Sequence, residues 1–168
     1  MLRVRLPSPL GDLVATVSDA GLHGLALGES LDGTQRVSEL ADGVLRTQIE
    51  QLEQALVSYF AGDREALERL SLPLIEAGTP FQRRVWAALR AIPPGEVRTY
   101  GEIAKAVGNP QGARAVGMAC NRNPILLVTP CHRVVGANGA LGGFGCGVEA
   151  KVMLLTLEGV LGTLHLDA

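Results

Sequence analysis

The sequence predicts an α/β protein of the α+β kind, with a small N-terminal antiparallel sheet and one helix, then a mostly helical region containing a helix-turn-helix. Three observations carry this. Residues 1–28 alternate apolar and polar positions between turn clusters, residues 44–60 repeat apolar groups near the helical period, and helix-start signals recur from residue 79 onward. The change of character divides the chain into an N-terminal α/β domain, 1–78, and a C-terminal domain, 79–168.

In the first domain, Arg3-Val4-Arg5-Leu6 alternates, Pro7-Ser8-Pro9-Leu10-Gly11 turns, Leu13 to Val17 is β-branched, and Asp19-Ala20-Gly21 turns again into Leu22 to Leu27. These are strands. His23 lies on one of them with no second ligand nearby, so it reads as a strand residue. Val44, Leu45, Ile49, Leu52, Leu56, Val57, Tyr59 and Phe60 form the apolar stripe of a helix that packs on the sheet and stops at Gly62-Asp63. Leu72-Pro73-Leu74 is a last strand or an extended connection.

The second domain opens with Thr79-Pro80-Phe81-Gln82, which offers a Thr cap, Pro at the first helical position and Gln at the third. That helix ends before Pro93-Pro94-Gly95. Thr99-Tyr100-Gly101-Glu102 is a second capping box, opening a short helix that Gly108 closes. Asn109-Pro110 then caps a third helix from about Gln111 to Cys120, and the pair around this turn is the helix-turn-helix. The second helix of the pair is lean: Gly112, Ala113, Ala115, Gly117 and Ala119 leave Arg114 as its one long charged side chain before Arg122. Such a backbone can approach something narrow, with one Arg reaching in. Tight helix packing with a solvated Arg114 is the other reading. A last helix, about Val148 to Leu157, sets Lys151, Met153, Leu154 and Leu155 on or near the core side.

Charge separates along the chain. Residues 1–80 hold six basic against twelve acidic side chains, whereas residues 81–151 hold nine against three, so a net charge of −2 hides a strongly basic segment. That asymmetry suits a polyanion. The three cysteines, Cys120, Cys131 and Cys146, are an odd number without metal-ligand spacing, which argues against a disulfide framework and against a zinc site, and no metal or other cofactor is expected. No run approaches the roughly 18 apolar residues of a membrane span, and Met1 to Leu6 lacks a signal-peptide core, so a cytoplasmic protein with no membrane partner is expected.

The chemistry concentrates in Asn123-Pro124-Ile125-Leu126-Leu127-Val128-Thr129-Pro130-Cys131-His132-Arg133-Val134-Val135. Its apolar run must be buried, and Pro130 biases Thr129 toward an extended backbone, so Cys131 emerges from a packed interior at a fixed place. A thiol there is either filler or a nucleophile. An imidazole, a guanidinium and an amide within a few residues favour the nucleophile, since apolar filler has no use for them. The following loop, residues 136–147, has six glycines in twelve residues and can wrap closely round a flat ligand, with Phe144 as its one stacking surface.

Phe81-Gln82, Val85-Trp86, Ile92-Pro93, Thr99-Tyr100-Gly101, Arg114-Ala115-Val116-Gly117, Asn123-Pro124, Pro130-Cys131-His132-Arg133-Val134, Lys151 and Glu158-Gly159 stand in one order across residues 79–159. In these motifs the chain resembles the O6-alkylguanine-DNA alkyltransferases, which repair DNA by direct reversal. The resemblance implies a monomer whose helix-turn-helix enters the minor groove of double-stranded DNA, with Gly112, Ala113, Arg114, Arg122, Thr99 and Tyr100 at the DNA. Arg114 would fill the gap left by a flipped nucleotide and Tyr100 would aid the flip and donate a proton. Cys131 would take the alkyl group from O6-alkylguanine, and from O4-alkylthymine, once per molecule. His132 and Glu158 would form its relay, Asn123 would order the turn beneath it, and Val134, Phe144, Gly145 and Lys151 would line the base pocket. Two departures stand out: the family usually has Tyr where this chain has Phe144, and Cys146 has no counterpart of its kind.

Displacement at a saturated carbon needs a soft, ionised nucleophile, so His132 is expected to take the thiol proton and Glu158 to set the imidazole tautomer. Neighbours in an extended segment point apart, so a water bridging Cys131 and His132 is expected. Three rivals remain. A cysteine hydrolase would pair Cys131 with distant His23 or His165, a non-catalytic recogniser of alkylated bases would lack the acceptor Cys, and a transcription regulator would carry long polar side chains on its second helix.

Overall fold

Alternating side chains in the first 27 residues build a sheet in the computed structural model of the chain, which describes residues 1–160. Strands β1 (Leu2–Leu6), β2 (Leu13–Ser18) and β3 (Gly21–Leu27) pair antiparallel, and a two-residue strand β4 (Gln35–Arg36) adds to β1 in parallel, giving the order β3-β2-β1-β4. The sheet is therefore mixed, where an antiparallel one was expected. Two polar residues carry no periodic signal that would have announced β4. One face buries Val4, Leu6, Leu13, Ala15 and Val17, and helix α1 (Val44–Phe60) turns Ile49, Leu52, Leu56 and Tyr59 inward. Leu72-Pro73-Leu74 is an extended connection with a single bridge, Leu74 to Leu22. There Gly21 has φ +146° and a Cβ would stand 2.3 Å from the Pro73 carbonyl oxygen, so only glycine fits.

The chain folds as two compact units, Met1–Ala77 with Pro124–Leu126, and Gly78–Asn123 with the chain from Leu127 on. Residues 124–126 thus join the first unit, although they were expected with the C-terminal domain. The Leu25 amide donates to the Pro124 carbonyl at 2.9 Å and the Leu126 amide to the Leu25 carbonyl at 2.8 Å, so backbone pairing outweighs position in the chain.

In the second unit α2 (Pro80–Arg90) starts at Thr79, whose side chain accepts from the Gln82 amide while the Gln82 side chain accepts from the Thr79 amide. Helix α3 (Tyr100–Ala106) is opened the same way by Thr99 and Glu102. Helix α4 (Ala113–Asn121) begins later than expected and without a side-chain cap. The Gly112 amide donates to the Asn109 carbonyl at 2.8 Å, so 109–112 close a turn of their own. Trp86 is buried and its indole N–H donates to the Ala119 carbonyl at 2.9 Å, tying α2 to α4. Short strands β5 (Arg98–Thr99) and β6 (Val134–Val135) pair in parallel, and α5 (Val148–Leu157) buries Lys151, Leu154 and Leu155. Met153, expected at the core edge, is exposed. Among the described residues no helix is long and apolar enough to cross a membrane.

Candidate active site

Cys131, His132 and Arg133 form one turn of 3-10 helix, not the extended segment expected. The Arg133 amide donates to the Pro130 carbonyl at 3.0 Å and the Cys131 amide to the Thr129 carbonyl at 2.9 Å, so Pro130 starts a turn. Asn123 lies beneath it. Its Nδ2 donates to the Thr129 carbonyl at 2.7 Å and its side chain also hydrogen-bonds the Cys131 thiol. β6 follows at once and its pairing with β5 fixes the turn next to Tyr100, the first residue of α3.

The thiol is buried, and burial pushes its pKa above the usual range against the opposing pull of Asn123 and Lys151. A standing thiolate is therefore scarce. His132 is fully buried beside it and its Nε2 lies 2.8 Å from Glu158 Oε2. Burial works to raise the Glu158 pKa, but hydrogen bonds from His132 and Arg133 prevail and hold it at about 2. An ionised carboxylate only accepts, so Nε2 carries the proton and Nδ1 keeps a lone pair. That Nδ1 is buried with no hydrogen-bond partner among the described residues.

Arg133 is the residue the sequence reading left unassigned. It donates to both Glu158 oxygens, Nε to Oε1 at 2.8 Å and Nη2 to Oε2 at 3.0 Å, and Nη1 donates to the Ile92 carbonyl at 2.8 Å. Only its place beside His132 could have drawn notice. Burial raises the Tyr100 pKa, and the thiols of Cys120 and Cys131 add to it, so its hydroxyl stays protonated near neutral pH.

The other expected residues divide. Arg114, Ala113 and Arg122 are exposed on or beside α4, and Thr99 is half-buried with its hydroxyl taken up by the cap. Gly112 is buried, with Asn109 Nδ2 only 2.3 Å from where a Cβ would stand, so it shapes the turn and offers no surface to DNA. Phe144 is half-buried and Gly145 exposed in the loop. Val134 and Lys151, expected to line a pocket, are wholly buried. Lys151 donates to the carbonyls of Val134 at 2.6 Å, of Leu141, and of Gly143 at 3.4 Å, so it anchors the loop to β6. Burial brings its pKa down to about 8, against the thiols of Cys131 and Cys120.

A helix-turn-helix in one unit with a buried thiol, an imidazole and an ionised carboxylate defines a protein equipped for nucleophilic chemistry at a cysteine. Residues 80–160 match the family of the 6-O-methylguanine DNA methyltransferase, DNA binding domain. The chain is 43% identical over 154 residues to the methylated-DNA--protein-cysteine methyltransferase of Methanosarcina acetivorans, covering 90% of this chain and 94% of that protein. It is 44% identical to the protein of that name from Mycobacterium leprae, covering 91% and 89%. Its fold superposes on Mycobacterium tuberculosis OGT in complex with DNA at a TM-score of 0.79 and 38% identity, covering 94% and 93%. The chain belongs to the methylated-DNA--protein-cysteine methyltransferase family.

Proposed function

We propose that this protein repairs DNA by direct reversal, taking the alkyl group of O6-alkylguanine in double-stranded DNA onto Cys131, once per molecule. The observation that carries the reading is the buried Cys131 thiol in one turn with His132, whose Nε2 faces the Glu158 carboxylate at 2.8 Å and whose lone pair is left on Nδ1. The thiol proton passes to Nδ1 through one bridging water as the sulfur attacks the alkyl carbon. The S–C bond forms, the C–O6 bond breaks, and Tyr100 supplies a proton to the departing guanine. The thioether has no route back.

The monomer presents exposed Ala113 and Arg114 of α4 to the minor groove, and Arg114 stands in for the extruded nucleotide. O4-alkylthymine fits the same chemistry, and residues 1–78 form a supporting domain of this cytoplasmic protein. A cysteine hydrolase is disfavoured because the imidazole with a carboxylate partner is His132 itself; His23 bonds Ser18 and His165 lies outside the described residues. A recognition protein without chemistry is disfavoured by the thiol.

The test is to incubate the protein with duplex DNA carrying O6-methylguanine and map the mass gain. One methyl per molecule on Cys131 is expected, with none in Cys131→Ser. Continuing turnover, or a methyl mapped to Cys120 or Cys146, would overturn the assignment.

A further inference from the structure

Arg133 is a fully buried cation with no part in the transfer steps above. We propose that it is a positioning residue for the reaction, keeping Glu158 a carboxylate and, through it, His132 an uncharged base. The inference rests on Cys131 being the acceptor.

The geometry directs the guanidinium at Glu158. Its fork grips both oxygens of Glu158 at 2.8 and 3.0 Å, and its third contact, to the Ile92 carbonyl at 2.8 Å, fixes the plane of the fork. Glu158 sits at the C-cap of α5, where the helix carbonyls present their negative end, so a carboxylate is poorly placed there without a cation. A buried carboxylate facing only an imidazole would draw a second proton onto it. Such an imidazolium has no lone pair to accept the proton of Cys131.

With Arg133 present the carboxylate already faces a cation, and protonating His132 would add a further positive charge to a buried site. Among the described residues, the charged and titratable groups around that site include Glu158 and Lys151 from α5, Arg133 and Cys131 on the same turn, Tyr100 from α3, Cys120 from α4, and Arg90 from α2, which bonds Thr129. Burial pulls the His132 pKa below its usual value, Glu158 pushes it up, and Arg133 and Lys151 push it down. Of the two cations only Arg133 touches Glu158.

The experiment follows single-turnover transfer from free O6-alkylguanine to Cys131 across about pH 5 to 9, the range in which imidazole titrates, in wild type, Arg133→Gln and Arg133→Lys. Arg133→Gln is expected to move the low-pH limb of the rate upward by about 1 to 3 units, a loss that grows toward acid pH and that alkaline pH restores. Arg133→Lys keeps the cation and holds the limb near that of wild type. A uniform loss at every pH, with the limb in place, would overturn the proposal, as would a lysine variant displaced as far as the glutamine one. If Arg133→Gln does not fold, imidazole nitrogen NMR of the wild type decides. A neutral ring protonated on Nε2 at pH 7 supports the proposal, and an imidazolium or an Nδ1 proton sinks it. Wild type that fails to label Cys131 would instead refute the acceptor reading itself.

Discussion

At the scale of single residues, the site stores charge in a place that disfavours it. Glu158, His132, Arg133 and Lys151 are all buried, and each is compensated by a neighbour. Glu158 is held at about 2, below its usual 4.5, so its contribution to stability is present above 4.5 and is lost as pH falls toward 2. His132, held below its usual 6.5, adds an earlier loss, because its unfolded form takes up a proton first. Glu158→Gln takes a carboxylate away from the buried guanidinium of Arg133, and a loss of about 3–5 kcal/mol at neutral pH is expected. Thermal melts from neutral pH down to about pH 3 should show the gap to wild type narrowing below pH 4.5. A constant gap would mean that the carboxylate is not what titrates.

Elements bring these residues to one place. The Thr99 and Thr79 capping boxes were readable because a cap and its reciprocal partner lie three residues apart. The 3-10 turn at Cys131 and the β5–β6 pair were not, since two or three residues show no period. Leu127 holds a positive φ of 70°, a conformation that leucine rarely adopts and that no local rule places there. The same limit applies to the Gly-rich loop. Gly142 has φ +69° and a Cβ would lie 3.3 Å from the Tyr100 hydroxyl, so loop and ring are fitted to each other. On α4 the expected effect of Arg114→Ala is selective. Repair of an alkylated duplex should fall far more than transfer from the free base, since only the duplex needs a group to replace the flipped nucleotide, at a cost of a few kcal/mol. Rate measurements on the two substrates check this, and equal losses would rule out that role.

For the whole molecule the proposed acceptor role of Cys131 couples repair to stability. Cys131 is 8% exposed, so an alkyl group on its sulfur must enter packed surroundings, where overpacking costs about 1–3 kcal/mol. The alkylated protein is expected to melt a few degrees below the unmodified one, by calorimetry on fully reacted and unreacted samples. An unchanged or higher Tm would mean that the sulfur faces ready space. The sequence by itself determined the α+β class, the bounds of α1, α2 and α5, the lean second helix of the helix-turn-helix, and the clustering of thiol, imidazole and amide around Cys131. Periodicity, caps and motif spacing are local, and they survive without coordinates. Only the tertiary structure decided that residues 124–126 complete the first unit, that Lys151 ties the loop to β6, and that Arg133 grips Glu158 from 25 residues away. Burial and charge pairing arise between segments distant in the chain, and a buried arginine has the same letters as a solvated one.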